Sequence, residues 1–130
     1  MIKSVSLNEI KSCNFRPEPH TVSFDADVQE WFAYVLGDKI VSVLGVSDRH
    51  GGKYISSCYT LPEYRKRGLL SMLILEVADR YKGQKIIAHC LKSSRDIFAK
   101  CGFTHYRTVE YKHGTQYFMK KEATANGENS

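Results

Sequence analysis

The hydrophobic periodicity changes at Gly68, and this change constrains the fold more than any other feature of the sequence. Before it, three apolar runs separated by turn residues predict consecutive strands of an antiparallel meander. After it, apolar residues recur three, four, seven and eleven positions beyond Leu70, which predicts one face of a helix that ends at Gly83. Further apolar residues widen this face and predict a deeply buried helix: Leu69, Met72 and Leu75. The apolar run at residues 85–91 then suits a parallel strand, so the sequence predicts a right-handed βαβ unit.

Strands on both sides of this unit predict a larger sheet. The predicted strands cover residues 1–5, 31–36, 40–46, 54–61, 85–91, 103–111 and 116–120, with turns at residues 49–52 and a last hairpin at residues 112–115. The chain is therefore predicted to be α+β, with layers of the α/β/α type. Its sheet is expected to be mixed and mostly antiparallel, with about six or seven strands and a central βαβ unit.

Capping residues predict two shorter helices. Ser6 and Glu9 have capping-box spacing and are expected to open a helix over residues 7–13. Ser93 or Ser94 is expected to cap a second short helix that reaches Lys100.

The length and composition predict a single domain. The chain has 130 residues, of which 42% are hydrophobic and 25% are charged, and these values exclude disorder and collagen-like repeats. We expect residues 1–121 to form the domain and residues 122–130 to form a flexible polar tail. The net charge is +5, and such a balance favours anionic partners such as a nucleic acid or a phosphorylated cofactor.

The four cysteines and the apolar runs limit the cellular setting. No two cysteines form a C-x-x-C pair, which excludes a zinc ribbon and a thioredoxin motif, and no metal site is expected. Cys58 and Cys90 lie in apolar runs and are expected to behave as small buried hydrophobes. No apolar run approaches the ~20 residues of a membrane span. We therefore expect a cytoplasmic protein that does not contact membranes.

A basic turn separates the last meander strand from the long helix. Arg65, Lys66 and Arg67 precede Gly68, and the helix begins directly afterwards. The first turn of a helix presents unpaired N–H groups and the positive end of its dipole, so it can hold an anion. A glycine allows backbone to approach a ligand closely or to adopt positive φ. The turn therefore predicts a pyrophosphate site, with a merely solvated basic turn as the alternative.

This turn resembles the signature of the Gcn5-related N-acetyltransferase (GNAT) family. That signature is Arg or Gln, two residues, Gly, one residue, then Gly or Ala, between a strand and a helix. Residues 65–69 fill the first five places, whereas Leu70 fills the sixth. Family members often carry Pro, an acidic residue and an aromatic residue just before it, and Pro62, Glu63 and Tyr64 match that pattern.

A second segment resembles the family's later motif. Ser94 is followed by Phe98 and then by Lys, one residue, Gly and Phe at residues 100–103. The two motifs are separated by a helix and a strand, as in the family, and the resemblance covers residues 30–120. It implies an acetyl-CoA-dependent N-acetyltransferase that transfers the acetyl group directly to an amine in a ternary complex.

The resemblance also implies where acetyl-CoA is held. The pantetheine arm is expected in a V-shaped opening, bonded to the backbone of the third meander strand. The implied cofactor-binding residues are Tyr59, Thr60, Leu61, Arg65, Lys66, Arg67, Gly68, Leu69, Leu70, Ser71, Ser94 and Phe98. A backbone N–H near Tyr59 is expected to stabilise the oxyanion.

The general acid and general base implied by the resemblance depart from the family's usual residues. The family's usual tyrosine acid is replaced by Phe98, so the thiolate leaves unassisted, or Tyr59, Tyr106 or Cys101 protonates it, or the domain binds CoA without catalysis. His89 is the candidate base because its intrinsic pKa suits that role, with a structural role on the sheet as the alternative. Tyr59 and His89 are therefore the candidate catalytic residues.

The acceptor is open on the sequence alone. Local acidity at Glu18, Asp25, Asp27 and Glu30 suits a cationic amine, such as a lysine, an N-terminus or a polyamine. The basic charge elsewhere leaves a nucleobase amine open, and a homodimer is also left open. Two other functions compete with catalysis: a non-catalytic acyl-CoA-binding domain, and a small basic nucleic-acid-binding domain. The latter predicts tyrosines interleaved with cations on an open sheet face, from among Tyr54, Tyr59, Tyr106, Tyr111 and Tyr117.

Overall fold

A computed structural model of the chain describes residues 1–13, 15–17, 22–24 and 27–124. The strands are β1 (Ile2–Val5), β2 (Glu30–Leu36), β3 (Lys39–Arg49), β4 (Gly52–Thr60), β5 (Ile86–Cys90), β6 (Thr104–Tyr111) and β7 (Gly114–Lys121). The helices are α1 (Leu7–Lys11), α2 (Leu69–Arg80) and α3 (Lys92–Lys100), and a 3-10 turn over Pro62–Tyr64 precedes α2.

All the strands join one mixed sheet in the order β1-β2-β3-β4-β5-β7-β6. Neighbours are antiparallel except β4 and β5, which pair in parallel and are connected through α2. The predicted α+β class, the mostly antiparallel sheet and the central βαβ unit are therefore confirmed. Strand number is also confirmed, at the upper end of the predicted range.

The two faces of the sheet are covered differently. On one face, α2 and α3 pack on a large core centred on Phe32, Leu73 and Phe98. On the other face, which we call the second face, α1 and the described parts of residues 15–28 cover β1 to β4, with Ile10 and Trp31 in the core between them. The helices therefore lie on both sides of the sheet. Within the part of the chain that the structure describes, no helix packs on the half of the second face over β5, β7 and β6.

Three details differ from the sequence-based expectations. Helix α3 is not capped by Ser93 or Ser94, because Leu91 is its N-cap in extended conformation and its carbonyl accepts from the N–H of Ser94 at 3.0 Å. Met72 and Leu75 do not belong to the buried face of α2, since they are 45% and 51% exposed. The last hairpin turns at residues 112–113 only, because β7 already begins at residue 114.

The N-terminal helix follows its sequence signal closely. The Ser6 hydroxyl accepts from the N–H of Glu9 at 3.1 Å, and the Glu9 carboxylate accepts from the N–H of Ser6 at 2.9 Å. This capping box also lowers the pKa of Glu9, since both the backbone and the hydroxyl of Ser6 favour its charged form.

Among the described residues, no helix is long and apolar enough to cross a membrane.

Candidate functional site

Strands β4 and β5 separate after a short parallel contact. They pair only from Lys53 to Ile55 on β4 and from Ile86 to Ala88 on β5. Beyond those residues β4 continues to Thr60, where it pairs with β3 alone, while β5 pairs with β7. The sheet therefore contains a V-shaped opening at its centre, as the resemblance implied. We call this gap between the two strands the opening.

A β-bulge lies on the β4 side of the opening. The β3–β4 register shifts between Val43 and Gly45, which pair with Tyr59 and Ser56, so β4 carries an extra residue there. Ser57 sits in this bulge with φ of 55°, a left-handed conformation that is uncommon for a residue with a Cβ. Its hydroxyl donates to the backbone carbonyl of Ser23, which ties the bulge to the segment covering the second face.

The end of β4 presents its backbone to the opening. The N–H of Leu61 donates to the carbonyl of Val41 on β3 at 2.9 Å, and Thr60 is paired with Ser42. Because successive residues of a strand direct their backbone groups to opposite sides, the N–H and carbonyl of Thr60 point away from β3. The Arg65 guanidinium donates through Nε to that carbonyl at 2.8 Å. The basic turn is thus fastened to the edge of β4.

Gly68 forms the N-cap of α2 in a left-handed conformation, with φ of 78°. A Cβ added there would meet no atom within 4 Å, so the space above the turn is open. The first intrahelical bond runs from the N–H of Met72 to the carbonyl of Gly68 at 3.1 Å. The N–H groups of Leu69, Leu70 and Ser71 consequently have no acceptor within the helix. This arrangement fits an anionic group such as a pyrophosphate.

The three cations of the turn are exposed, and two of them lie over tyrosine rings. The Arg65 guanidinium lies 5.4 Å from the ring centroid of Tyr59, and that of Arg67 lies 5.1 Å from the ring of Tyr64. Lys66 has φ of 63°. The turn is therefore compact, with its charge displayed at the mouth of the opening.

Tyr59 and Phe98 are both buried. Tyr59 is 6% exposed and packs against Phe15 and Phe24, with ring centroids at 5.1 and 6.2 Å. Phe98 is 1% exposed and meets the ring of Phe103 edge-on at 5.1 Å. Ser94 is half-buried in the first turn of α3. The two aromatic side chains therefore lie on opposite faces of the sheet rather than together.

His89 follows the last β5 residue that pairs with β4. Its ring stacks on Phe118 at 3.6 Å with an angle of 11°, and it contacts the rings of His50 at 4.8 Å and Tyr54 at 5.0 Å. Burial, together with repulsion from His50 and Arg49, lowers the pKa of His89 to about 4. The imidazole is therefore neutral at physiological pH and can accept a hydrogen bond or a proton.

Two thiols border the opening on the face covered by α2 and α3. Cys58 beside the bulge packs against the main core, and Cys90 on β5 is buried and contacts the carbonyl of Tyr117 through Sγ at 3.5 Å. Burial, with repulsion from Cys90, raises the pKa of Cys58 to about 12, and burial raises the pKa of Cys90 to about 11. Both stay protonated and act as apolar groups, although Cys58 is half-buried rather than fully buried.

The remaining predicted groups are dispersed. Cys101 is buried, its Sγ contacts the carbonyl of Ser71 at 3.8 Å, and burial raises its pKa. Tyr106 lies on the uncovered half of the second face and is 46% exposed. The carboxylate of Glu30 accepts from the Tyr81 hydroxyl, while Glu18 and Asp25 lie outside the described residues.

Three groups at the opening were not predicted from the sequence. They are the bulge at Ser57, the imidazole of His50 and the ring of Phe118. Ser57 carries no local signal, since positive φ usually favours glycine or asparagine. His50 and Phe118 come close to His89 only because distant strands pair. They could have been predicted only from the order of strands in the sheet.

Comparison with known proteins identifies the family. A model described as the acetyltransferase (GNAT) family matches residues 5–103. The chain belongs to this family. It is an N-acetyltransferase that uses acetyl-CoA as its co-substrate, as the two motifs implied.

Solved structures share the fold of this acetyltransferase at low sequence identity. The ribosomal-protein-S18-alanine N-acetyltransferase of Escherichia coli is 14% identical with a TM-score of 0.78, over 100% of this chain and 97% of its own. A Bacillus subtilis acetyltransferase in complex with CoA is 16% identical with a TM-score of 0.62, over 72% and 76%. A ribosomal-protein-alanine N-acetyltransferase of Brucella melitensis is 17% identical with a TM-score of 0.61, over 72% and 68%. No curated protein matches this chain.

Proposed function

We propose that this acetyltransferase performs direct transfer at the opening between β4 and β5, with both substrates bound at once. The observation that carries the proposal is the loss of β4–β5 pairing after Ile55, on a strand that leads directly into the turn at Gly68. Exposed backbone on one strand edge and an anion site at its end suit a long ligand with a terminal pyrophosphate.

The residues of the basic turn are proposed to bind the pyrophosphate of acetyl-CoA. Gly68 leaves the space above the helix end open, and the N–H groups of Leu69, Leu70 and Ser71 point into it. The exposed cations before Gly68 add charge, and the bond from Arg65 to Thr60 fixes their position relative to the strand. The N–H of Thr60 is proposed to bond the pantetheine arm.

Backbone N–H groups of the bulge are proposed to stabilise the oxyanion. A bulge disrupts ladder pairing and leaves backbone groups without strand partners, and here it faces the opening. The extra residue and the tie from Ser57 to Ser23 hold these donors in one orientation. Such fixed donors stabilise developing charge without reorganisation.

His89 is proposed to face the attacking amine. Its imidazole lies at the point where the strands separate, on the face away from α2 and α3, and it is neutral at physiological pH. A neutral ring nitrogen can accept a hydrogen bond from the amine and orient it. As the new C–N bond forms and the thioester C–S bond breaks, the amine passes one proton to this ring nitrogen, which releases it to solvent.

The leaving thiolate is proposed to depart without a dedicated acid. Phe98 has no proton to give, and Cys101 is buried with a raised pKa. A thiol has a pKa of roughly 8.5, so its thiolate is a reasonable leaving group near neutral pH. It then takes a proton from solvent, which balances the proton lost by the amine.

Isothermal titration with acetyl-CoA, followed by a thiol-release assay over a panel of amines, tests this proposal. We expect binding in the micromolar range and amine-dependent release of CoA thiol. Binding without release for any amine would favour the non-catalytic acyl-CoA-binding alternative, which Phe98 motivates. No binding up to millimolar acetyl-CoA would overturn the proposed site.

Three further expectations stay proposals. We propose a reducing, cytoplasmic setting, which the four free cysteines support. The domain is proposed to span residues 1–121 and the tail residues 122–130. A homodimer remains a prediction to be tested by light scattering.

A further inference from the structure

The half of the second sheet face over β5, β7 and β6 carries a continuous row of aromatic rings. The ring of His89 contacts His50 and Tyr54 on one side and Phe118 on the other. Phe118 contacts Tyr106 at 6.1 Å, on the edge strand β6. We call these five residues the ring row. The row runs from the turn between β3 and β4, past His89 at the opening, to the edge of the sheet.

Three cations lie over rings of the ring row. The Arg49 guanidinium lies 5.2 Å from the ring of Tyr54, and that of Arg107 lies 5.7 Å from the ring of Phe118. The ammonium of Lys120 lies 5.2 Å from the ring of Tyr106. Phe118 is already stacked on His89, so the exposed rings of His50 and Tyr106 are the ones on which flat groups can stack, and the cations can pair with anionic groups.

Acidic groups contribute little to this surface. Glu122 lies beside the row and is paired with Lys120 at 3.0 Å. In the strand registers, Asp48 lies opposite Lys53 and Glu110 lies opposite Thr115. Both positions direct their side chains to the face of the sheet away from the row. The surface is thus net positive among the described residues, in keeping with a chain of net charge +5.

We propose that the ring row binds single-stranded nucleic acid and delivers an amine carried by that chain to the opening, a second step that rests on the proposed function. Stacking on aromatic rings beside cations is the common way in which proteins hold single strands. A cationic acceptor would be repelled by Arg49 and Arg107. An acidic peptide could pair with the cations but would leave the rings without stacking partners.

Fluorescence anisotropy with a labelled oligoadenylate RNA of about twelve nucleotides tests the surface directly. Arg107→Ala should weaken binding about fivefold and reduce the slope of log affinity against log salt by about 0.7. Arg95→Ala is the matched control, since its guanidinium lies over Tyr117, the β7 neighbour of Phe118, on the face covered by α2 and α3. Equal losses in the two variants would overturn the proposal, as would no binding by the unaltered protein.

A second comparison separates stacking from simple charge pairing. Tyr106→Ala should weaken binding of the oligoadenylate about tenfold and leave binding of an abasic phosphate chain of equal length unchanged. An equal loss for both probes, or preferred binding of an acidic peptide over the oligoadenylate, would contradict the surface as assigned.

The two steps of the proposal fail in different ways. Acetyl-CoA binding with thiol release toward small amines, but no oligoadenylate binding, would overturn the inference and leave the proposed function intact. Oligoadenylate binding without acetyl-CoA binding would overturn the proposed function and leave the surface intact. Binding of both, with no radioactive acetyl transferred to an amine-bearing single strand, would limit the row to binding and overturn the delivery step.

Discussion

The Nε of Arg65 donates to the backbone carbonyl of Thr60 at 2.8 Å, and this bond joins the basic turn to the strand edge along the opening. The same guanidinium lies over the ring of Tyr59. Arg65 therefore positions the turn as well as contributing charge. Arg67, two residues further on, has its guanidinium over the ring of Tyr64 and serves as a comparison.

Arg65→Lys should raise the KM for acetyl-CoA about tenfold, whereas Arg67→Lys should change it less than threefold. Both changes keep the positive charge, but lysine cannot reproduce the planar donor geometry that the Thr60 bond uses. Steady-state kinetics at a saturating amine concentration measure the effect. An unchanged KM in both variants would mean that charge alone matters at this turn, and an equal rise in both would contradict a special role for the bond from Arg65 to Thr60.

Gly68→Asp should abolish acetyl-CoA binding, while Gly68→Asn should weaken it only moderately. The site has open space for either side chain and φ of 78°, which asparagine tolerates better than most residues. Asp and Asn have the same shape, so their difference isolates the negative charge at the helix end. Isothermal titration measures it, and thermal unfolding of both variants reports the cost of the backbone conformation, about 1 kcal/mol. Equal binding by the two variants would count against a pyrophosphate at this position.

Much of this site could be predicted from sequence because its signals are local. Turn chemistry and helical period specify the strand, the turn at Gly68 and the helix, and the Ser6–Glu9 capping box specifies α1. The bulge could not be predicted, because a serine holds the positive φ and its tie to Ser23 spans more than thirty residues. The ring row depends on β7 lying between β5 and β6, which is a property of the sheet order.

Ser57→Val should lower kcat about tenfold, whereas Ser57→Gly should retain most of it. A β-branched residue at φ of 55° costs roughly 1–2 kcal/mol, so the bulge is expected to shift and carry its N–H groups with it. Glycine accepts that conformation and loses only the hydroxyl bond to Ser23. Comparison of kcat for the two variants, with circular dichroism as the control for folding, checks the role of the bulge. A full loss in the glycine variant would mean that the hydroxyl itself is required.

Stability should depend on pH through His89. Its pKa is about 4 in the folded protein and ordinarily near 6.5, so the unfolded chain binds a proton more readily between those values. The free energy of unfolding is therefore highest above pH 6.5 and should decrease as the pH falls toward 4. Because the ring is partly solvated, we expect a loss on the order of 1 kcal/mol rather than the full shift.

Urea unfolding across this pH range measures the effect of His89. His89→Gln should flatten the difference between neutral and acidic pH, since glutamine does not titrate there. The same variant should lower kcat with little change in the KM for acetyl-CoA, because His89 is proposed to contact the amine. Parallel stability curves for the two proteins would contradict the assigned pKa, and an unchanged kcat would leave His89 as a structural residue.

Phe98→Tyr tests whether the leaving thiolate lacks an acid. The ring is 1% exposed and packs on Phe103, so a new hydroxyl without a partner should lower the free energy of unfolding by roughly 1–3 kcal/mol. If the hydroxyl reaches the opening, kcat should be equal or higher, because the thiolate then has a proton donor. Phe103→Tyr is the matched control, with the same buried ring pair and no expected gain in kcat. A large loss of kcat in the Phe98 variant, with stability unchanged, would show instead that this ring packs directly on acetyl-CoA.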